Sequence, residues 1–473
     1  MESLIVDVAV IGAGTAGLAA YRAAVAAGKR AVIIESGPHG TTCARVGCMP
    51  SKLLIAAAEA AHGPARWTEF GLRLDGRVAV DGAAVMARVK RERDRFVDFV
   101  VQGVERIPEN DRIAGRARFL DAGTVAVGDD VRVRFGSAVI ATGSSPAVPP
   151  ILRGAGPRLI VNDDVFDWDT LPASVAVFGP GVIGLELGQA LHRLGVSVHL
   201  FGKGGLVGPF SDPAIRACAA RTFGAEFPLE ADADVRSVEA TRHGVEIRHV
   251  DRSGVERTVA VDYVLAATGR TPNIKDLGLE NLDLERDGRG VPRFDRHTLQ
   301  CGSSSIFIAG DANNELPLLH EAADEGRIAG ENAARFPDVR PGARRVPLAA
   351  VFSDPQLAVI GRRYADLDLA HTVVGEVSFE DQGRSRMMVR NQGLLHVYVE
   401  APSGAVVGAE LLGPDAEHLA HLLAWGIQCG LTVDGMLAMP FYHPVVEEGL
   451  RTALRDAAAK RAAWLPAAER AVA

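Results

Sequence analysis

Val8-Ala-Val-Ile-Gly-Ala-Gly-Thr-Ala-Gly17 is a short β-rich run that breaks into glycine, and it returns as Val175-Ala-Val-Phe-Gly-Pro-Gly-Val-Ile-Gly184. Each copy turns through G-x-G-x-x-G, at Gly12, Gly14 and Gly17 and again at Gly179, Gly181 and Gly184, then enters an Ala/Leu-rich helical pattern. Gly28 and Gly195 each fall sixteen residues after the first glycine of their copy, and the apolar runs Ala31 to Ile34 and Val196 to Phe201 follow. This is the order of a dinucleotide-binding βαβ unit. The first glycine permits a tight turn, the second lets backbone approach a pyrophosphate, and the third lets the helix pack on the strand. The helix N-terminus then offers N–H groups and a positive dipole end to the phosphates. A lone glycine motif would say little; two in matching context predict two nucleotide sites.

The copies differ where a ribose would be read. Glu35 ends the second strand of the first unit, placed to accept hydrogen bonds from a 2′-hydroxyl, which suits FAD. The corresponding position of the second unit is Gly202, followed by Lys203, which leaves NAD and NADP both open. Phe135 to Gly143 reads as an apolar strand ending in Ala-Thr-Gly, a theme that Tyr263 to Gly269 repeats. Ser305 to Asp311 is a further buried strand ending in an acid at a carboxyl edge, where open α/β sheets bind ligands; a helix N-cap is the plainer reading of Asp311. From Val346 the texture becomes alternating, as in antiparallel strands, over Leu394 to Val399 and Ala405 to Leu412, with a helical pattern from Ala416 to Cys429. The expected fold class is α/β: two Rossmann-like dinucleotide-binding domains plus a C-terminal α+β dimerisation domain. Its expected boundaries are 1–150 for the FAD domain with the cysteine pair, 151–272 for the NAD(P) domain, 273–345 for a segment completing the FAD domain, and 346–473 for the interface domain.

Composition sets limits. A chain of 473 residues exceeds a single core, and 48% hydrophobic with 23% charged residues is ordinary for a globular protein. The formal charge is −8, and no Lys/Arg stripe with interleaved aromatics points to nucleic acid. Arg88, Lys90, Arg91, Arg93 and Arg95 alternate with Glu92 and Asp94 and read as a solvated helix face. The longest uncharged stretch, Phe135 to Leu152, is broken by Gly, Ser and Pro, so no membrane span is expected, and the default location is cytoplasmic. Five cysteines do not suggest a secreted disulfide framework. Cys218, Cys301 and Cys429 are isolated and read as small buried residues.

Cys43-Ala-Arg-Val-Gly-Cys48-Met-Pro-Ser-Lys52 is different. Four intervening residues let two sulfurs meet across a helical turn, Gly47 removes a side chain beside the second, and no Cys/His cluster is placed to complete a zinc site around the pair. A thiolate near a helix start is a better nucleophile, so a redox pair is the reading, against two merely buried cysteines. Here the chain resembles the pyridine nucleotide–disulfide oxidoreductases, in particular the dihydrolipoamide dehydrogenase branch. The resemblance spans nearly the whole chain through the Gly12 fingerprint with Glu35, Cys43 to Lys52, Ala141-Thr142-Gly143, the Gly179 fingerprint, Thr268 to Asn273, Ala309-Gly310-Asp311, and Tyr442-His-Pro-Val-Val-Glu-Glu448.

The resemblance implies roles. Gly12, Ala13, Gly14, Gly17 and Glu35 would hold the ADP half of FAD, with Thr142, Gly143, Asp311 and His320 also near FAD. Lys52 would lie near the flavin, paired with Glu186. Gly179, Gly181, Val182, Ile183, Gly184, Lys203 and Gly269 would take NAD, with NADP possible. Cys48 would face the flavin and Cys43 would exchange with substrate. His443, oriented by Glu448, would serve as proton carrier across a homodimer interface, so that the active site is shared between subunits. The implied reaction is dihydrolipoamide with NAD+ giving lipoamide and NADH, on a small molecule or a lipoyl protein. An NADPH-dependent reductase of glutathione-type disulfides is the alternative, and a docking subunit of a 2-oxo acid dehydrogenase complex is a reading of another class. Mercuric reduction is disfavoured because the C-terminus carries no cysteine pair. The sequence departs from the family at Thr41, Arg45, Gly202 and the Val445-Val446-Glu447-Glu448 stretch, which bears on substrate more than on reaction.

Overall fold

The computed structural model describes residues 2–251 and 253–465. By their contacts these form two units, one from residues 1–50, 90–147 and 270–344 and the other from residues 51–89, 148–269 and 345–473.

The first unit is built on a seven-stranded sheet. Glu2–Ile11 lies at its centre, parallel to Ala31–Glu35 on one side and to Val131–Ile140 on the other. Ile306–Ile308 adds a further parallel strand against Val131–Ile140, and Thr124–Val127 with Ala117–Asp121 forms an antiparallel flank. The inner stretches of the central strands, residues 8–11, 31–34 and 138–140, are apolar at every position because both faces are covered. Val8, Val10, Ile33, Val139 and Phe307 point into one core, and Ala9, Ile11, Val32, Ile140 and Ile308 into the other. The first core is closed by the helices Thr15–Ala26 and Leu319–Arg335. These two helices touch backbone to backbone: a Cβ on Gly326 would lie 2.1 Å from the Ala16 carbonyl oxygen, and one on Gly330 would lie 2.3 Å from that of Ala20.

The second unit repeats the parallel theme in five strands, ordered Leu229–Glu230, Ser197–Phe201, Ser174–Phe178, Tyr263–Ala266 and Leu159–Val161. Beside it lies an antiparallel three-stranded meander, Asp234–Ala240, Val245–Val250 and Glu256–Val261. The C-terminal part of this unit is a five-stranded antiparallel sheet in which Leu394–Glu400 pairs Val406–Gly413. The helices Ala416–Gln428 and Glu447–Trp464 cover it over a core that includes Leu395, Val397, Leu411, Leu419 and Leu454. The alternation in the sequence is thus realised as a sheet covered by helices. The expected α/β class with an α+β C-terminal portion is what the chain adopts.

Of three local readings, one fails, one alternative falls away and one holds. Cys429 is exposed, not buried, because it caps the C-terminus of Ala416–Gln428, whereas Cys301 is buried and Cys218 half-buried. Asp311 is not a helix N-cap; it lies in a short 3-10 turn, Gly310–Asn313, and the following helix begins at Leu319 with Leu318 as its cap. The basic run from Arg88 sits on the long helix Gly82–Glu105, with Arg91 paired to Glu92 and Arg93 to Asp94, as a solvated face requires. No helix among the described residues is long and apolar enough to cross a membrane.

The backbone contact at Gly326 gives a direct test. A methyl group there must push the two helices apart, an overpacking cost of about 1–3 kcal/mol. Gly326→Ala is expected to lower the thermal midpoint by several degrees, whereas Gly28→Ala, with no atom near its Cβ position, should cost only the strain of its positive φ. Equal midpoints for wild type and Gly326→Ala would contradict the packing described.

Candidate functional site

Both fingerprints obey one steric rule. A Cβ on Gly12 would lie 2.3 Å from the Ala141 carbonyl oxygen, and one on Gly17 would lie 1.8 Å from that of Gly12. The second copy repeats this, with Gly179 at 2.3 Å from Ala267 O and Gly184 at 1.9 Å from Gly179 O. The middle glycines differ: nothing lies within 4 Å of a Cβ on Gly14 or Gly181. Each middle glycine is also the N-cap of its helix and offers no side chain to the first N–H groups. The first and third positions are therefore demanded by the fold, and the second leaves room for an anion in front of unsatisfied donors.

In the first unit these donors open onto a cavity of about 600 Å³ lined by Gly12, Gly14, Glu35, Thr142 and Gly143. Arg45, Arg116 and Lys275 bring positive charge to the same walls. Glu35 is braced at the strand end, with one oxygen accepting from Ala13 N at 2.7 Å and the other from Gly37 N at 2.7 Å. The Thr142 hydroxyl oxygen is buried without a hydrogen-bond partner, a cost that a polar ligand would remove. Cavity, uncapped helix end, cationic walls and orphaned hydroxyl together fit a dinucleotide the size of FAD.

Asp311 reaches the edge of this site through Ser144, whose hydroxyl donates to its carboxylate at 2.6 Å, and Arg270 donates to the same Ser144 oxygen at 2.7 Å. The turn that carries Asp311 is held from beneath by Glu325, which is fully buried. Its oxygens accept from Gly310 N, Asn313 Nδ2 and Arg344 at 2.7, 2.7 and 2.8 Å. Burial pushes the Glu325 carboxyl above its ordinary range despite the neighbouring guanidinium. Sequence reading passed over Glu325 and Arg344 because they carry no motif. His320 is exposed on the first turn of Leu319–Arg335 and does not line the cavity.

The cysteine segment is not one continuous turn. Cys43 lies in the short helix Thr42–Val46, Gly47 interrupts, and Cys48 opens the helix Cys48–His62. Gly47 sits in close quarters: a Cβ there would lie 3.1 Å from the Thr42 carbonyl oxygen and 3.2 Å from the Cys43 Cα. Cys43 is half-buried and Cys48 exposed. Thr41 caps the short helix through a 3.3 Å bond from Ala44 N while adopting φ 60° and ψ 151°. That is left-handed backbone which a β-branched residue rarely tolerates.

In the second unit Lys52 and Glu186 form a two-pronged pair, with Nζ 2.8 Å from both carboxylate oxygens. Glu186 is nearly buried and also accepts from Phe352 N at 2.9 Å, and the Phe352 ring lies 4.7 Å from the ammonium. Val182 and Ile183 form the first turn after Gly181, and Gly269 has φ 102° with open space at its Cβ. Gly202 is glycine for a steric reason: a Cβ would lie 2.5 Å from Ala231 O and 2.7 Å from the Pro180 ring. No acidic side chain fits there, and Lys203 follows it, exposed.

The same unit carries His443, 80% exposed, with Nδ1 2.9 Å from Glu448. Arg451 donates to the other Glu448 oxygen at 2.7 Å. For Glu448 the opposing pull of desolvation is outweighed by the His443 and Val445 hydrogen bonds and by Arg451, so its carboxyl is held below its ordinary range. An ionised carboxylate that accepts from Nδ1 leaves Nε2 as the basic nitrogen.

By sequence, residues 6–326 match the family described as pyridine nucleotide-disulphide oxidoreductase, and residues 348–454 match its dimerisation domain. The chain belongs to this family. It is therefore an oxidoreductase of a family that uses FAD with a nicotinamide nucleotide, and its C-terminal portion is the family's dimerisation domain. Among relatives, it is 30% identical to dihydrolipoyl dehydrogenase 2 of Haloarcula marismortui, over 94% of this chain and 95% of that one. It is also 30% identical to mercuric reductase of Shigella flexneri, over 94% of this chain and 80% of that one. The solved structure of the HOCl-induced flavoprotein disulfide reductase RclA from Escherichia coli superposes with a TM-score of 0.79 at 22% identity, covering 95% of this chain and 99% of that one. That likeness speaks for the fold.

Thr41 supplies the test of this local geometry. Relieving the left-handed strain should return about 1–3 kcal/mol, against a few tenths for exchanging a hydroxyl cap for glycine and up to about 1 kcal/mol of unfolded-chain entropy. Thr41→Gly is thus expected to raise stability by about 1 kcal/mol, read as a shift in denaturant midpoint at constant slope. A fall of similar size would show that the hydroxyl outweighs the strain.

Proposed function

We propose that this chain is a dihydrolipoamide dehydrogenase, oxidising dihydrolipoamide with NAD+ through a Cys43–Cys48 redox disulfide in a homodimer. The observation that carries the reading is the exposed His443 imidazole backed by an ionised Glu448, on the family's dimerisation domain and in a chain that keeps both cysteines. The family name borne by relatives of equal length supports the choice of substrate.

In this reading His443 of the partner subunit takes the proton from one substrate thiol at Nε2. The resulting thiolate attacks Cys43 Sγ, breaking the Cys43–Cys48 bond and leaving Cys48 as the thiolate. The second substrate thiol displaces Cys43 from the mixed disulfide, its proton passing to the departing Cys43 sulfur, and closes the cyclic disulfide product. The substrate has then lost two electrons and two protons, and the cysteine pair has gained the electrons. FAD, when bound, supplies two-electron transfer from the reduced pair to the nicotinamide. Glu448 accepts the His443 Nδ1–H throughout, fixing the tautomer. Gly12, Ala13, Gly14 and Gly17, with Glu35, Thr142, Gly143 and Asp311, would hold FAD. Gly179, Gly181, Val182, Ile183, Gly184 and Gly269 would hold the nicotinamide nucleotide, and Lys52 with Glu186 would position a cation beside the flavin.

One observation favours a second reading. Gly202 excludes the acid that would read a free ribose, and exposed Lys203 is suited to a 2′-phosphate, so an NADPH-dependent reductase of small disulfides is the runner-up.

Steady-state assays with dihydrolipoamide and NAD+, and with glutathione disulfide and NADPH, separate the two. Turnover of the first pair is expected; brisk turnover of the second with none of the first would overturn the proposal. His443→Gln is expected to cut dithiol turnover by ~10²–10⁴ with FAD content unchanged. An active His443→Gln enzyme would remove His443 from the mechanism.

A further inference from the structure

Next to the strand end that carries Gly202 and Lys203, the second unit gathers a set of ligating side chains that the proposed chemistry does not use. His199 on Ser197–Phe201, Glu230 at the end of Leu229–Glu230 and His249 on Val245–Val250 converge, each offering one ligand atom, with these atoms within 4.8 Å of one another. His199 Nε2 lies 3.0 Å from one Glu230 oxygen, and His249 Nδ1 lies 3.1 Å from the other. The His249 ring is 1% exposed, and neither of its nitrogens makes a hydrogen bond, since the approach to Glu230 is short but not aimed along an N–H. A buried imidazole left in that state costs about 1–3 kcal/mol, and a Lewis acid between the three groups would give one of its nitrogens a partner.

We propose that His199, Glu230 and His249 bind one divalent transition-metal ion, with zinc as the best match. Two imidazoles and a carboxylate are a borderline donor set that suits zinc and disfavours calcium and magnesium, which take oxygen shells. A tetrahedral ion with bonds of about 2.0–2.1 Å requires ligand atoms roughly 3.3 Å apart; each histidine stands near that distance from its own Glu230 oxygen, and one ligand atom from each residue lies within 4.8 Å of the others. The rings are already oriented. His199 stacks on Phe201 at 4.3 Å with an 11° tilt, and His249 meets the same ring edge-on at 5.0 Å. Burial, its largest influence, holds the His199 imidazole below its ordinary range, towards the neutral form that binds metal. The His199 and Glu230 side chains keep 19% and 17% exposure, which leaves a path for the ion and a fourth position for water.

The ion would lie under the loop that carries Lys203. Gly202 N donates to the Glu230 carbonyl at 2.7 Å, Gly205 N to that of Ala231 at 3.1 Å, and Gly204 N to the Asp232 carboxylate at 2.7 Å. Fixing Glu230 from its side chain therefore stiffens the strand end from which this loop hangs.

The test uses the FAD-loaded protein, treated with a chelator, dialysed and titrated with zinc chloride alone. One zinc per chain is expected to remain after dialysis. X-ray absorption should show a nitrogen and oxygen shell at about 2.0 Å and no sulfur at about 2.3 Å, which separates this site from zinc held by the cysteines. Glu230→Gln should weaken binding at least tenfold. His199→Phe should do the same while keeping a ring on Phe201, which leaves the proposal testable if Glu230→Gln does not fold. A sulfur shell, no retained zinc, or unchanged affinity in both variants would overturn the site. None of these readouts depends on which disulfide or nucleotide the enzyme uses.

Discussion

Both glycine fingerprints of this molecule depend on a carbonyl oxygen occupying the space of a missing side chain. At Gly17 and Gly184 a Cβ would stand 1.8 and 1.9 Å from the oxygen of the first glycine of the motif, a distance no rearrangement of a side chain relieves. The contact seats the helix N-terminus at the end of the strand and aims its uncapped N–H groups outward. The same device recurs where Gly326 and Gly330 let a second helix close on the first, and from that second helix Glu325 holds the turn bearing Asp311. In the first unit, the turns that border the cavity are thus set by backbone packing and braced by a buried carboxylate.

The second unit follows the same rule at its fingerprint and departs from it at the ribose. Gly202 is pressed against Ala231 and Pro180, so the position cannot carry an acid, and the charge next in line is a lysine. The loop that carries these residues, Gly202 to Gly205, is tied to the end of the Leu229–Glu230 strand. The His199, Glu230 and His249 cluster lies beneath that strand end, which links an ion site to the loop without any shared ligand.

Much of this was legible in the sequence. The repeated glycine motif specified two parallel nucleotide-binding sheets, because those spacings satisfy a steric rule that few folds impose. The alternation beyond Val346 specified antiparallel strands. What escaped had no local signature. Glu325 and Arg344 look like ordinary helix and linker charges until burial pairs them. Thr41 reads in the sequence only as a departure from the family, and its strain shows only in its φ. Cys429 was misjudged because isolated cysteines are usually buried, and helix ends are not. The three ligands of the proposed ion site sit on three strands that only the tertiary fold brings together, so no spacing along the chain announces them. Gly47 was read as room for the second sulfur, and its structural part is to break the helix between the cysteines.

The central claim is that Cys43 and Cys48 act as a redox couple in series with a flavin. An anaerobic reductive titration of the purified FAD-loaded chain tests it directly. Two acceptors in series should consume about four electrons per chain, two for the flavin and two for the disulfide, with the Cys43→Ser variant taking only about two. Uptake of two electrons by the wild-type chain would contradict the account, since the cysteines would then not be a redox pair at all.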